Sequence, residues 1–416
     1  IYGFIAAVLP VWLLLAPRDY LSTFMKVGTI AMLAIAIVVV RPDIHVPAVT
    51  VWASRPDGPV FSGSLFPFLF VTIACGALSG FHAMISSGTT PKLIEKERQT
   101  RFIGYGGMLM ESFVAIMALV AALSVDQGIY YAMNSSLAAT GGTVEGAVAF
   151  VNNLGLTGVH LTPDQLTSVA QQVGEHSVVS RTGGAPTLAV GLAGIMHQWF
   201  GGPAMMSFWY HFAIMFEALF ILTSVDAGTR VARFMLSDAL GNLHPRFREA
   251  NWKPGSYLTT GLMVAGWGSI LLLGVTDPLG GINTFFPLFG VANQLLAAIA
   301  LAVCLTIFAR RGRTWTLLII AVPLAFTAVV TITGSFLKIF SPDPKVGYWA
   351  NHNRYADALR DGLTELGGVK GTAAMEAVVR NTAVQTTLSV IFLACALVVI
   401  AMCVWQAIRA VLAGGG

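Results

Sequence analysis

Two carboxylates stand in stretches that otherwise read as hydrocarbon. Glu111 comes about seven residues into the apolar run 104–124, and Glu217 falls near the middle of the run 204–224. An ionised side chain at mid-bilayer costs about 2.5 to 3.5 kcal/mol on insertion scales, so each must find a partner, a water-filled cavity or a proton. Two readings stay open for both: a protonated acid that only fixes helix packing, or a group that carries protons through a transport cycle. His211 precedes Glu217 by six residues. That is about 240° around a regular helix, so the two do not share a face, and a role for both in coupling needs different partners.

A second constellation lies earlier. Cys75, Ser79, His82 and Ser86 follow at spacings of four, three and four, which a regular helix places on one face. Gly76, Ala77 and Gly80 weaken that helix, and the string Ser86, Ser87, Gly88, Thr89, Thr90, Pro91 must end or unwind it. Unwound backbone at membrane depth is tolerated only where it is buried in protein or lines a cavity, and secondary transporters build their sites from such broken helices. The plain alternative is an ordinary exit from the membrane into the basic loop 92–101, with His82 a satisfied core histidine.

Thr223, Asp226 and Thr229 repeat the style, with hydroxyls and Gly228 around a carboxylate, as a cation or gating site requires. Asp226 also precedes Arg230 by four residues, the spacing of a helix-end ion pair. Asn293 and Gln294 sit beside Pro287 and Gly290. That pair of residues permits a kink, and the amides offer donors and acceptors to a substrate or, equally, to a neighbouring helix.

The elements that must position these groups are membrane spans. A hydrocarbon core of roughly 30 Å needs about 20 apolar residues of helix. Nine stretches qualify or nearly so: 1–16, 24–40, 65–87, 104–124, 204–224, 256–275, 282–309, 314–340 and 386–408. A tenth, 187–200, is short and ends at Gly201, Gly202 and Pro203, which predicts a re-entrant or interfacial half-helix. Alternating the loops gathers Arg18, Lys26, the basic residues of 92–101 and 230–253, Arg310, Arg311, Arg313 and Arg409 on one side. Positive charge assigns that side, and the C-terminus, to the cytoplasm. Outside lie 41–64, a cap at 126–186 with helices near 144–154 and 163–173, and a second loop at 341–385 with a helix at 356–366.

Composition narrows the function classes. Of 416 residues, 56% are hydrophobic and only 11% charged, and mean hydropathy is +0.74. Soluble domains carry about 25% charged residues, so an ordinary soluble enzyme, a disordered scaffold and a nucleic-acid binder are excluded. Cys75, Cys304, Cys395 and Cys403 lie in apolar stretches without metal or redox spacing, so no metal or cofactor is expected. The fold class is an all-α polytopic integral membrane protein. An intramembrane enzyme lacks any Ser/His, Cys/His or paired His/Asp arrangement, and a channel lacks a pore loop or charge ring. The rival to a transporter is a transporter-like nutrient sensor, distinguished by binding without accumulation.

Several long strings resemble the carbon starvation protein A family of bacterial transporters. They begin at Leu9 (LPVWLLLAPRDYLST), Cys75 (CGALSGFHAMISSGTTPK), Gly104 (GYGGMLMESFVAIMAL) and Phe208 (FWYHFAIMFEALFIL), followed by Asp226 to Arg230, Asp277 to Thr284 and Pro287 to Gln294. The resemblance covers essentially the whole chain. Nothing matches the family's N-terminal membrane region, so the chain is expected to be the C-terminal part of such a protein. The resemblance implies a bacterial inner-membrane symporter for peptides or pyruvate, coupled to protons with sodium as the other candidate ion, and kinship with LeuT-like folds. On that analogy 75–90 is a discontinuous helix whose exposed amides and hydroxyls meet a substrate carboxylate. His82, Ser86, Ser87, Gly88, Thr89 and Thr90 then bind substrate together with Asn293 and Gln294. Glu111, His211 and Glu217 serve proton coupling, and Thr223, Asp226 and Thr229 a cation or gating site.

Overall fold

The computed structural model describes residues 1–413 apart from 89, 203, 250, 251 and 313. Thr89, Pro203 and Arg313 therefore lie outside the described residues. In chain order the helices are α1 (Tyr2–Val8), α2 (Leu15–Val40), α3 (Leu65–Thr72), α4 (Ala74–Ala77), α5 (Gly80–Gly88), α6 (Gln99–Leu123), α7 (Gln127–Asn134), α8 (Leu137–Thr140) and α9 (Val144–Asn152). They continue as α10 (Pro163–Val173), α11 (Gly184–Phe200), α12 (Met205–Leu240), α13 (Lys253–Val275), α14 (Gly281–Arg310), α15 (Thr314–Phe340), α16 (Tyr348–Arg360) and α17 (Thr372–Ala413). A two-residue antiparallel hairpin, β1 (Glu365–Leu366) with β2 (Val369–Lys370), pairs Glu365 with Lys370.

Among the described residues seven helices are long and apolar enough to cross a bilayer: Leu15–Val40, Gln99–Leu123, Met205–Leu240, Lys253–Val275, Thr284–Arg310, Trp315–Phe340 and Thr372–Ala413. The chain is an all-α, multi-pass membrane protein. Two of the nine expected spans are broken. The stretch 1–16 yields the short α1, a turn, and the start of α2; 65–87 divides into α3, α4 and α5. Arg18 and Lys26, expected in a cytoplasmic loop, lie within α2. The last span begins at Thr372 rather than 386, because polar residues that look like loop in sequence are buried in the helix: Asn381, Thr382 and Gln385. The helix expected at 356–366 forms earlier, as α16.

The chain divides into two compact units. The first holds 1–48 and 85–273. Its α11, expected as a re-entrant or interfacial half-helix, buries its middle from Thr187 to Met196 and packs against α12, α2 and α6. Lipid tails are as apolar as leucine, so close backbone approach, more than hydrophobicity, holds spans together. A Cβ on Gly191 would lie 2.0 Å from the Ala121 carbonyl oxygen, so only glycine permits the α11–α6 contact. The segment between α6 and α11 is helical. Asp126 accepts from the Gly128 and Ile129 amides at the start of α7, and Thr162 with Gln165 forms a capping box on α10, with Pro163 in its first turn.

The second unit holds 49–84 and 274–416. Its α14 packs against α15 and α17. Thr306 Oγ1 donates to the Cys403 carbonyl at 2.9 Å and Arg310 to Gln406 at 2.9 Å, which fixes the register between α14 and α17. Val71, Val291, Leu295 and Ala396 form one core cluster, and Ala298, Ala302 and Leu324 another. The residues following the spans are closed by Tyr355, Ala358, Val369, Met375 and Val378.

Candidate functional site

Each unit contains a helix interrupted within an apolar stretch. In the second unit α4 ends at Ala77 and α5 restarts at Gly80. Cys75, Ser79 and His82 thus do not lie along one regular helix face. Ser79 becomes a cap: its hydroxyl accepts the His82 amide at 3.2 Å and lies 3.6 Å from Cys75 Sγ.

Helix termini leave backbone groups that need partners, and α14 supplies them through two adjacent amides. Asn293 Oδ1 accepts from the Phe81 amide at 2.7 Å and from Ser79 Oγ at 3.4 Å. Gln294 Nε2 donates to the Phe70 carbonyl at 2.6 Å, and its Oε1 accepts from Thr331 at 3.1 Å. Asn293 and Gln294 are 2% and 4% exposed, so they splint both sides of the break. Of the two readings of these amides, substrate or neighbouring helix, the structure shows the bonds to the neighbouring helix segments. Gly290 and Gly80 let α14 come this close: a Cβ would lie 2.4 Å from the Val71 carbonyl oxygen and 2.3 Å from the Asn293 carbonyl oxygen, respectively. Two first-turn amides of α5 are therefore taken by protein, contrary to the expectation that they are exposed. The side chains of His82, Ser86 and Ser87 are exposed.

His82 falls in the second unit and Ser86, Ser87, Gly88 and Thr90 in the first. The helix ends at Gly88, as its composition requires. Thr90 Oγ1 donates to the Ile85 carbonyl at 3.4 Å. A Cβ on Gly88 would meet the Val231 side chain at 2.9 Å, which puts this end of α5 beside α12, two residues from the buried Thr229.

In the first unit the break separates α1 from α2, and charges hold it. Arg18 pairs with Asp226 and hydrogen-bonds Tyr2. Tyr2 donates to Asp226 at 2.9 Å, and Asp19 accepts from Arg18 at 2.7 Å. Lys26 Nζ donates to Thr223 Oγ1 at 3.1 Å and lies 5.0 Å from the centre of the Phe220 ring. Asp226 is fully buried, and its second oxygen has no partner. Arg230, expected to pair with Asp226, donates instead to the carbonyls of Ala6 at 2.5 Å and Leu9 at 2.7 Å, the freed end of α1. The structure thus joins Thr223 and Asp226 with Tyr2, Arg18 and Lys26, and the cation beside the carboxylate is the protein's own. Sequence reasoning missed these partners. The available signal was Pro10, which removes a helix donor within the run 1–16.

The other expected groups stay apart. Among the described residues Glu111 and Glu217 make no side-chain hydrogen bond or ion pair; Glu111 is exposed and Glu217 half-buried. His211 Nδ1 stays on its own helix, 2.8 Å from the Ser207 carbonyl oxygen. A further polar row was also missed. Asn381, Gln385 and Ser389, spaced by four, are each 1% exposed on one face of α17. Asn381 donates to Asp277 at 2.9 Å. Burial pushes the Asp277 carboxyl above its ordinary 3.8, opposed by hydrogen bonds from Asn381, the Leu279 amide and Thr284. No group of three or more metal-ligating side chains occurs among the described residues.

Known proteins place these features. The family model described as carbon starvation protein CstA matches residues 1–334. A Mycobacterium tuberculosis (H37Rv) protein named peptide transporter CstA is 59% identical over 394 residues, 94% of this chain and 52% of its own length. The Escherichia coli K12 protein of the same name is 55% identical over 363 residues, 87% of this chain and 52% of its own. An E. coli K12 protein named pyruvate/proton symporter BtsT is 45% identical, covering 94% of this chain and 57% of its own length. The chain thus spans about half the length of the curated relatives it matches. No solved structure matches. With 334 matched residues that include both broken helices and the side chains that splint them, the chain belongs to the carbon starvation protein CstA family.

Proposed function

We propose that this protein is a secondary active transporter that imports small carboxylate nutrients, peptides or pyruvate, across the bacterial inner membrane by proton symport and alternating access. The observation that carries this reading is the interruption of the apolar stretch α3–α5 with both sides splinted by buried amides, the kind of broken helix from which transporters build substrate sites. Its support from comparison is the likeness to proteins named for peptide transport and for pyruvate/proton symport.

In this reading His82, Ser86, Ser87 and Thr90 line the approach to the substrate, while Asn293 and Gln294 hold the break in shape. Glu217, half-buried without a partner, is the foremost proton carrier, with Glu111 and His211 as further candidates. The Arg18–Asp226 pair with Thr223 gates the first unit. No catalysis is assigned. The positive charge of its flanking loops supports a cytoplasmic C-terminus.

The test is uptake of labelled pyruvate and of a dipeptide into proteoliposomes of the full-length protein, with and without an inward proton or sodium gradient. Accumulation that a protonophore collapses is expected. Glu217→Gln should abolish pH-driven accumulation while leaving folded protein in the membrane. Binding without accumulation under any gradient would replace the transporter by a sensor.

A further inference from the structure

One buried cation has no use in the scheme above. Lys338 lies two residues before the end of α15 and is 6% exposed. Its ammonium faces two rings, with Nζ 4.9 Å from the centre of Phe68 on α3 and 5.8 Å from that of Tyr348 on α16. Among the described residues no carboxylate lies within ion-pair distance of it. Asp343, in the turn between α15 and α16, is exposed and accepts the Lys345 amide at 2.9 Å. The phenol oxygen of Tyr348 is buried with no hydrogen-bond partner.

An ammonium withdrawn from water without a partner carries a large desolvation penalty, and ring faces offset only part of it. What the two side chains offer is donors only: the N–H groups of Lys338, which among the described residues has no carboxylate partner, and the buried O–H of Tyr348. What complements them is an anion with two acceptor oxygens. Phe68 supplies an apolar wall beside it, which suits a small organic anion over a hydrated inorganic one. The protein itself encloses Lys338, so a lipid phosphate on the outer surface is a poorer fit than a free carboxylate.

We propose that Lys338 and Tyr348 form a carboxylate-binding site in the second unit, walled by Phe68, that takes the carboxylate of the transported substrate. The proposal rests on the transporter reading and adds a recognition residue to it. It is tested on the full-length protein in nanodiscs of neutral and of anionic lipid, by equilibrium binding of pyruvate and of pyruvamide, its uncharged amide, together with pyruvate uptake. Lys338→Met should weaken pyruvate binding at least tenfold and leave pyruvamide unchanged, and Tyr348→Phe should weaken pyruvate binding by several-fold. Lys338→Met should melt no lower than the parent, since it removes an unpaired buried charge. If it does not fold, Tyr348→Phe, which deletes a single oxygen, carries the test.

Parental affinity for pyruvate in both variants, with normal uptake, overturns the site and leaves the transporter standing. Loss of anionic-lipid binding in Lys338→Met with pyruvate binding intact assigns the lysine to lipid and overturns it as well. A parent protein that neither binds nor accumulates pyruvate or a dipeptide overturns both readings together.

Discussion

The two interrupted helices solve one problem with different chemistry. In the second unit the break between α4 and α5 is held by neutral amides from a single neighbour: Asn293 on one side, Gln294 on the other, and Thr331 behind Gln294. In the first unit the break between α1 and α2 is held by ions. Arg230 caps the carbonyls of Ala6 and Leu9, and Arg18 meets Asp226 with Tyr2 attached. An amide splint has one good arrangement and little cost when it shifts slightly. A buried ion pair is stable only while its geometry is excellent, and removing one partner strands the other. The first break therefore depends on charge pairing and the second on neutral hydrogen bonds.

The largest expected effect breaks the ion pair. Asp226→Leu removes the buried partner of Arg18 but leaves it Asp19, and should destabilise the protein by about 3 kcal/mol, the low end for breaking a buried pair. The double variant Asp226→Leu with Arg18→Met should recover most of that loss in thermal melts of purified protein. No recovery would show that the carboxylate acts through Tyr2 instead of the ion pair. Next, Arg230→Met leaves the Ala6 and Leu9 carbonyls unpaired, a loss of about 1 to 3 kcal/mol per buried acceptor. Hydrogen exchange should rise in α1 and the turn after it, with α14 unaffected.

The amide splints come third. Asn293→Leu and Gln294→Leu should each cost about 1 to 3 kcal/mol. Asn293→Leu exposes the Phe81 amide to exchange and Gln294→Leu perturbs α3. Equal exchange changes in both variants would mean that the two amides act as one unit.

The smallest effect is a pH dependence at Asp277, outside the spans. Burial raises its folded pKa above the unfolded value. Its contribution to stability is therefore fully present below the unfolded value and is lost as pH rises through the folded one. Asp277→Asn should remove that decline. The difference in melting temperature between variant and parent should grow from about pH 4 upward, and a constant difference across pH would show that Asp277 titrates normally.

Much of this was legible in residue order. Twenty-residue apolar runs separated by basic and polar loops required a bundle of spans, since no other helix-forming chain buries so little charge. The end of α5 at Gly88 and the cap of α10 at Thr162 followed from local chemistry alone. Ser79, His82, Asn293 and Gln294 could be singled out as polar groups in hydrocarbon.

What residue order could not reveal was which polar group satisfies which. Asp226 and Arg230 have the spacing of a local pair, yet each is claimed by a partner more than 200 residues away in sequence. Asn293 and Gln294 could serve a substrate or a neighbouring helix, and only the packing of α14 against the broken helix shows which backbone groups they meet, Phe81 and Phe70. Asn381 and Gln385 read as loop until burial placed them, with Ser389, on one face of α17. The reason is physical. Hydropathy and helix propensity are summed over neighbours in the chain and so are written locally. A buried donor or charge in a membrane protein instead takes whichever acceptor the packing brings within about 3 Å, and only the tertiary structure decides that.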